Sequence, residues 1–465
     1  MQTNRRRFLQ ATTASVAATV VPRYVLGGPN YVAPSEKVNV ALIGAGGQGR
    51  TNMRALLRQA DAQVMAVADP IEQEDLSRFY FKGLAGRKPV QAEIEKHYAE
   101  KRPSFHCAVY EDFRKMLDKE KGIDAILCAT PDHLHAYVSI TAMLAGKHVY
   151  CEKPLTHSVW EARRVAAVAK KTGLATQMGN QGHSTVGMRW TCEWIWDGAI
   201  GTVREVHAWV GTRRWNPTLQ GLPPGSPPVP PGINWDLWLG PRKPHPYHPA
   251  YTPVTWRDFW AFGTGAMGDF GCHDLDAACW SLDLVAPATI EALPAGYTDA
   301  EIGPYGEICY YEFGARGDKA PVKVTWYDGG LQPPCPEELG PRGKLPGRAI
   351  LFVGDQGKLL CDGAGGAPRL LPYSRTADYK KPAESLPRSK GHHRDWLDAC
   401  KGGPPASSNF QYGARLTEIV LLAVAAQRLG KKLYWDAANM KATNAPDADA
   451  ILKESYRPGW EIPSA

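Results

Sequence analysis

Three short apolar runs set the pattern of the first third of the chain: Val38-Asn39-Val40-Ala41-Leu42-Ile43, Gln63 to Ala68, and Ile123 to Ala129. Each is apolar at nearly every position and stops at a glycine, an aspartate or a Thr-Pro pair, as strands buried on both faces of a parallel sheet do. Thr51 to Arg58 opens a helix after the first run, and His148-Val149-Tyr150 is a further short strand. Ser158 to Thr172 carries apolar residues at helical spacing (Val159, Ala162, Val165, Ala166, Val168, Ala169), and a strand follows around Thr176 to Gly179. Later the pattern changes to alternation. Thr202 to Thr212, Glu307 to Phe313, Val322 to Tyr327, Ile350 to Val353 and Lys358 to Cys361 read as strands of an open, mainly antiparallel sheet. A long helix from Ala414 to Leu429, ended by Gly430, packs back on the core. The expected organisation is α/β: a parallel unit over residues 36–155, an α+β domain over 156–440 and a tail over 441–465, with no internal repeat.

The first strand runs directly into Gly44-Ala45-Gly46-Gly47-Gln48-Gly49. In such a turn Gly44 permits the tight bend, Gly46 lets the backbone approach a pyrophosphate, and Gly49 lets helix lie close on strand. The phosphates then sit on the helix N-terminus, where free N–H groups favour negative charge. The second strand ends in Asp69, placed to accept hydrogen bonds from ribose hydroxyls and to repel a 2′-phosphate. No arginine follows closely, so NAD is expected rather than NADP. Gly47 and Gln48 belong to the same phosphate-facing turn, and the whole reads as a Rossmann dinucleotide-binding domain.

Ligands of α/β sheets gather at the carboxyl ends of the strands. That places Thr130, Pro131 and His135, after the third run, at the cofactor edge, together with Glu152, Lys153 and Pro154 after His148-Val149-Tyr150. Asn180 and Gln181 end the next strand and are expected at the same edge. Farther on, Asp269-Phe270-Gly271-Cys272-His273 puts an acid and an imidazole four apart on one helical face. An acid there orients a histidine, while a positive helix end disfavours the imidazolium, leaving a base poised near neutral pH.

The glycine turn, the Glu152-Lys153-Pro154 run and the Asp269–His273 pair together resemble the Gfo/Idh/MocA oxidoreductase family (glucose–fructose oxidoreductase, inositol dehydrogenase and relatives). The resemblance implies a Rossmann domain plus an α+β domain, an NAD(P)-dependent hydride transfer to or from a sugar, glycoside or polyol, and Lys153, Asp269 and His273 as catalytic and substrate-binding residues. It implies that the Thr130-Pro131 to His135 stretch contacts the cofactor. It places Trp256 and Arg257 near the cofactor and substrate, and it implies a homodimer or homotetramer. Alternatives within and beside the family are an NAD-dependent glycoside hydrolase or lyase acting by transient C3 oxidation, and a non-catalytic sugar-binding protein. The glycosidase branch carries Tyr-Pro-Thr-His where this chain has Asp269 to His273, which counts against it.

The N-terminus changes the functional picture. Asn4-Arg5-Arg6-Arg7-Phe8-Leu9-Gln10, a short apolar stretch from Ala11 to Val21 and then Pro22-Arg23 resemble a twin-arginine export signal over residues 1–28. The stretch is too short to span a bilayer. That route carries folded proteins to a periplasmic or otherwise exported location without a free nicotinamide pool. A cofactor held tightly and regenerated in place is therefore expected.

Composition narrows the partners. The formal charge of +7 loses four arginines with the first 28 residues, leaving +3 and no case for nucleic acid. The ten cysteines show no C-x-x-C spacing and no zinc-like pattern, so no metal is expected; Cys272 and Cys279 read as core. Six of the fifteen tryptophans (Trp209, Trp215, Trp235, Trp238, Trp256, Trp260) crowd into 52 residues around a proline-rich excursion. Rigid aromatic faces there suit the apolar face of a pyranose, so this stretch is expected to wall the cleft.

Overall fold

The computed structural model describes residues 32–464; the arginine-rich start lies outside the described residues. Val38–Ile43 (β1) is the centre of a six-stranded parallel sheet with Ala62–Ala68 (β2), Ala108–Tyr110 (β3), Ala125–Cys128 (β4), His148–Cys151 (β5) and Thr176–Met178 (β6). The strand order is β3-β2-β1-β4-β5-β6, so the chain reverses direction across the sheet beside β1. That reversal opens a crevice at the carboxyl ends of β1 and β4, where Rossmann sheets bind ligands. The continuous apolar runs follow from burial on both faces, which helices Gly47–Leu57 (α1), Asp132–Leu144 (α2) and Val159–Thr172 (α3) help to cover. Helix α3 starts where its sequence says it should. The Ser158 hydroxyl accepts from the Glu161 N–H, the Glu161 carboxylate accepts from the Ser158 N–H, and Gly173 ends the helix at φ 67°.

The expected boundary at residue 155 does not hold. Helix α3 and strand β6 complete the parallel sheet, which runs to Met178, because β6 pairs with β5 from Val149↔Thr176 to Cys151↔Met178.

The second sheet has nine strands: Val203–Val210 (β7), Thr289–Ala295 (β8), Gly306–Phe313 (β9), Val322–Tyr327 (β10), Arg348–Gly354 (β11), Gly357–Asp362 (β12), Gly366–Leu371 (β13), Leu433–Asp436 (β14) and Lys441–Ala442 (β15). They lie in the order β13-β12-β11-β7-β10-β9-β8-β14-β15, antiparallel except where β7 meets β10. Strand β9 shows why the sequence alternates. Cys309, Tyr311 and Phe313 are buried, while Tyr310 and Glu312 between them are exposed.

Four helices lie between this sheet and the first unit. Gly265–Asp274 (α4) carries the Asp-x-x-x-His pair, and Asp276–Leu282 (α5) follows it directly. Phe410–Leu429 packs across α3, α4 and β8. The helix His392–Cys400 (α6) returns to the parallel sheet, where Trp396 and Leu397 are fully buried in the same apolar cluster as Val40 and Leu56. Arg394 and Lys401 on that helix both pair with Asp61 at the foot of β2, at 2.6 and 2.8 Å. The expected tail over 441–465 is built into the body of the protein. It supplies edge strand β15, it buries Trp460, and its Glu454 is held by Arg242 and by His157 at 2.8 Å.

Candidate active site

The glycine turn is shaped as its sequence predicts. Gly44 adopts φ +90°, and a Cβ there would lie 2.5 Å from the carbonyl of Ala129. A Cβ on Gly49 would meet the Gly44 carbonyl oxygen at 2.0 Å, so α1 reaches this close to β1 only with glycine. Gly46 precedes α1 without a side-chain cap, leaving the first N–H groups of the helix for a ligand. The turn opens onto a cleft that runs to Lys153, Arg257 and Asp269. An uncapped helix start beside a turn that excludes side chains fits a dinucleotide diphosphate.

Asp69 stands in the cleft wall but is not simply waiting for a ribose. Its carboxylate accepts from the Ala45 N–H at 2.6 Å and from the Ile71 N–H at 2.7 Å, bracing the turn from below. Each oxygen keeps a lone pair for a ligand. Burial, opposed by these two N–H groups, pushes its carboxyl up to about 6. Glu74, half-buried beside it, is pushed up to about 8 by burial and by the charge of Asp69. A carboxylate oxygen of Glu74 lies 3.7 Å from where a Gly46 Cβ would be.

Lys153 and Asp269 meet across the cleft from opposite domains. The Lys153 ammonium donates to the Asp269 carboxylate at 2.6 Å and to the Asp269 backbone carbonyl at 2.5 Å. Arg257 Nε lies 3.2 Å from the same carboxylate. Burial alone would raise the Asp269 carboxyl; the two cations outweigh it and hold the group well below the usual carboxylate range. Two of the three ammonium N–H bonds are used, so the third is available to a substrate oxygen.

His273 departs from expectation in two ways. Asp269 turns to Lys153 and Arg257, and His273 makes no hydrogen bond to another described residue. Helix α4 spans Gly265–Asp274, so His273 sits in its last turn and not near its positive end. Burial and the nearby charges of Lys153 and Arg348, only partly opposed by Asp269, hold the half-buried imidazole well below its ordinary value. The near-neutral poise expected from the sequence is therefore not found: the ring favours its neutral form and is a weaker base than a free imidazole.

Thr130, Pro131, His135 and Glu152 line the same cleft as Gly44, Gly47 and Gln48. Glu152 is a buried acceptor for Asn52 at 2.8 Å and Gln181 at 2.9 Å. Gln181 therefore reaches the cleft through Glu152. Asn180 does not reach it. Fully buried, it bonds Asp276 at 2.8 Å and Ser408, cross-linking the two domains. The acid of α5 that holds it there also takes His183 at 3.0 Å.

Of the clustered tryptophans, Trp238 and Trp256 line the cleft, with the Arg257 guanidinium 4.2 Å from the Trp256 ring. Trp235 and Trp238 join Tyr251, Phe259 and Phe262 in an aromatic core, and Trp209 is fully buried on the second sheet. The proline-rich excursion thus has a core of its own, because Leu219 is buried into that aromatic cluster. Sequence reasoning missed Asn52, Glu74, Tyr80 and Phe81 at this site. The signal for the last two was present: three consecutive aromatics, Phe79-Tyr80-Phe81, in an otherwise mostly polar stretch between β2 and the next helix.

Comparison with known proteins agrees with this geometry. The chain is 27% identical over 245 residues to the levoglucosan dehydrogenase of Pseudarthrobacter phenanthrenivorans, covering 52% of this chain and 50% of that protein. It is 34% identical over 148 residues to a glycosyl hydrolase family 109 protein of Stenotrophomonas maltophilia, covering 32% and 29%. The chain thus spans half or less of the length of these curated relatives. Among solved structures, the WlbA dehydrogenase of Bordetella pertussis, in complex with NADH and UDP-GlcNAcA, has the same fold (TM-score 0.57, 15% identity, 86% of this chain and 99% of that one). So does the aldose–aldose oxidoreductase of Caulobacter crescentus (TM-score 0.55, 18% identity, 86% and 100%). Residues 38–180 match the NAD-binding Rossmann fold of the GFO_IDH_MocA oxidoreductase family, and residues 205–316 match the C-terminal alpha/beta domain of that family. With both domains matched in order, and with the glycine turn and the Lys153–Asp269 pair facing one cleft, the chain belongs to the Gfo/Idh/MocA oxidoreductase family.

Proposed function

We propose that the protein is an exported NAD-dependent oxidoreductase that transfers a hydride between a nicotinamide nucleotide and the carbon of a sugar, glycoside or polyol hydroxyl. The observation that carries the reading is the double donation from Lys153 to Asp269 at the end of the cleft that begins at the glycine turn. The likeness to levoglucosan dehydrogenase supports the substrate class. The bound dinucleotide supplies the hydride acceptor or donor. The chain's own groups do the rest. The turn at Gly46 and Gly47 and the start of α1 hold the diphosphate. The Asp69 carboxylate, with Glu74 beside it, faces the ribose that follows, and its charge disfavours a 2′-phosphate and favours NAD over NADP. The remaining Lys153 N–H donates to the reacting oxygen, and Asp269 holds that ammonium in place. The neutral His273 ring takes the hydroxyl proton. Trp256 and Arg257 line the substrate side.

The run Arg5-Arg6-Arg7 supports twin-arginine export, and export favours a cofactor that stays bound through many turnovers. Pairing through the open face of the nine-stranded sheet, as a homodimer or homotetramer, belongs to the same proposal, and solution scattering reads it directly. The likeness to a family 109 glycosyl hydrolase favours a second reading, in which oxidation at the sugar is transient and no net NADH accumulates.

The test begins with protein purified without added cofactor, denatured, and assayed for released nicotinamide nucleotide. About one equivalent of NAD(H) per chain supports a resident cofactor. A chain that arrives empty and also fails to bind added NAD overturns the enzyme reading and leaves a sugar-binding scaffold. Lys153→Ala then separates catalysis from binding: the expected variant retains nucleotide and loses turnover, and near-normal turnover removes Lys153 from the mechanism.

A further inference from the structure

Tyr80 is the most exposed large hydrophobic side chain among the described residues, at 65%. It is not on the outer surface, because it lines the cleft together with Lys153 and Asp269. It sits on a segment between β2 and the helix Arg87–Ala99 that begins and ends in a two-residue ribbon, Glu74–Asp75 against Leu84–Ala85. That segment is tied down at three points. The buried Arg50 of α1 donates to the carbonyls of Phe81 (2.7 Å), Lys82 and Leu84. The Phe81 ring lies on Gly47, where a Cβ would fall 2.2 Å from it. Leu76 and Ala85 pack with Val254 and Trp215 of the second domain. The segment therefore bridges both walls of the cleft along its length: Glu74 beside Asp69 and Gly46, Phe81 over the glycine turn, and Tyr80 toward the Lys153–Asp269 end.

We propose that residues 74–85 form a strap over the dinucleotide, with Tyr80 the positioning residue that covers its nicotinamide end. This rests on the dinucleotide reading above. The geometry favours that occupant because Tyr80 is flanked by two aromatic rings yet left exposed in the cleft. Its ring centroid is 4.0 Å from Phe81, tilted by 32°, and 6.0 Å from Trp215, stacked at 22°. An aromatic surface fixed in this way and left bare loses its hydrophobic gain unless a flat ligand covers it. The strap also supplies a physical reason for a resident cofactor, since the nucleotide leaves only after the ring moves.

The full chain, stripped of nucleotide and reloaded with NADH, tests the proposal through the rate of NADH loss on a chase with excess NAD, followed by fluorescence. Wild type releases NADH slowly. Tyr80→Ala, which removes an exposed ring, is expected to release it about tenfold faster, while Tyr80→Phe, which keeps the ring, stays within about twofold. Phe81→Leu, a milder change at the packed position, is expected to accelerate release as well. A Tyr80→Ala chain with normal circular dichroism and wild-type release overturns the strap while leaving the dinucleotide reading intact. A wild-type chain that binds no NADH overturns both.

Discussion

Lys153 and Asp269 are joined twice, through the carboxylate at 2.6 Å and through the backbone carbonyl at 2.5 Å, across 116 residues of sequence. The backbone contact survives any change of side chain, so position and charge can be separated. Asp269→Asn keeps the carbonyl acceptor and removes the anion that steadies the ammonium. The expected result is a fall in turnover of about a hundredfold with nucleotide retention unchanged. Turnover within a few-fold of wild type would show that the anion has no part in the proton chemistry.

His273 gives a prediction in pH. The folded ring resists protonation because of burial, Lys153 and Arg348. Its neutral, proton-accepting form therefore persists on acidification past the ordinary histidine value of about 6.5. The acid limb of kcat/KM is expected to stay level through that value and to fall only at lower pH. Arg348→Met removes one of the opposing charges and should move the limb upward. An inflection at about 6.5 in the wild type would place a solvent-like imidazole at this position.

How much of this was legible in the sequence depends on the range of the interactions. Strands β1, β2, β4 and β5, the glycine turn and the helix beginning at Ser158 were readable, because local pattern and backbone sterics decide them. The placing of Lys153 and Asp269 in one site came from resemblance to known relatives, but their direct ion pair was not expected, because neither residue's surroundings predict it. The partner of His273 was misassigned because spacing of four on a helix shows a shared face but not which way a carboxylate turns when two cations stand opposite. Asn180 was misplaced for a similar reason: a polar residue at a strand end suits a cleft or a buried acid equally, and here Asp276 takes it. The return of α6 to the first sheet was invisible, since its anchors, Trp396 and Asp61, are more than three hundred residues apart.

That return gives a stability prediction. Trp396 is fully buried among Val40, Leu56 and Val64, residues of the nucleotide-binding unit, although it lies far beyond that unit in sequence. Trp396→Ala is expected to cost about 3–5 kcal/mol, the range for deleting a buried aromatic ring. The loss should appear as a lower melting temperature and as weaker nucleotide retention together. A drop in melting temperature with retention intact would mean that the helix is anchored to the second domain alone.

Glu74 provides the last prediction, because its carboxyl and that of Asp69 face the same part of the cleft but carry different structural duties. Asp69 braces the turn through Ala45 and Ile71, so replacing it leaves two buried N–H groups without an acceptor, and its loss disturbs every dinucleotide alike. Glu74 has no such duty, which makes it the cleaner position at which to test 2′-phosphate exclusion. Because the folded Glu74 carboxyl holds its proton up to about pH 8, Glu74→Gln is expected to leave NADPH affinity unchanged near pH 7 and to raise it about tenfold only above that pH, with little change for NADH. Its pH dependence has a definite sign. An unfolded glutamate titrates near 4.3, and burial beside Asp69 pushes the folded group up to about 8. The folded chain therefore holds this proton where the unfolded chain has lost it, and wild type loses stability as pH rises through that window. The glutamine variant has no such titration. Its melting temperature relative to wild type should be constant below about pH 4 and rise steadily towards pH 8, and a difference that is flat across the window would place Glu74 in open solvent and remove it from the ribose pocket.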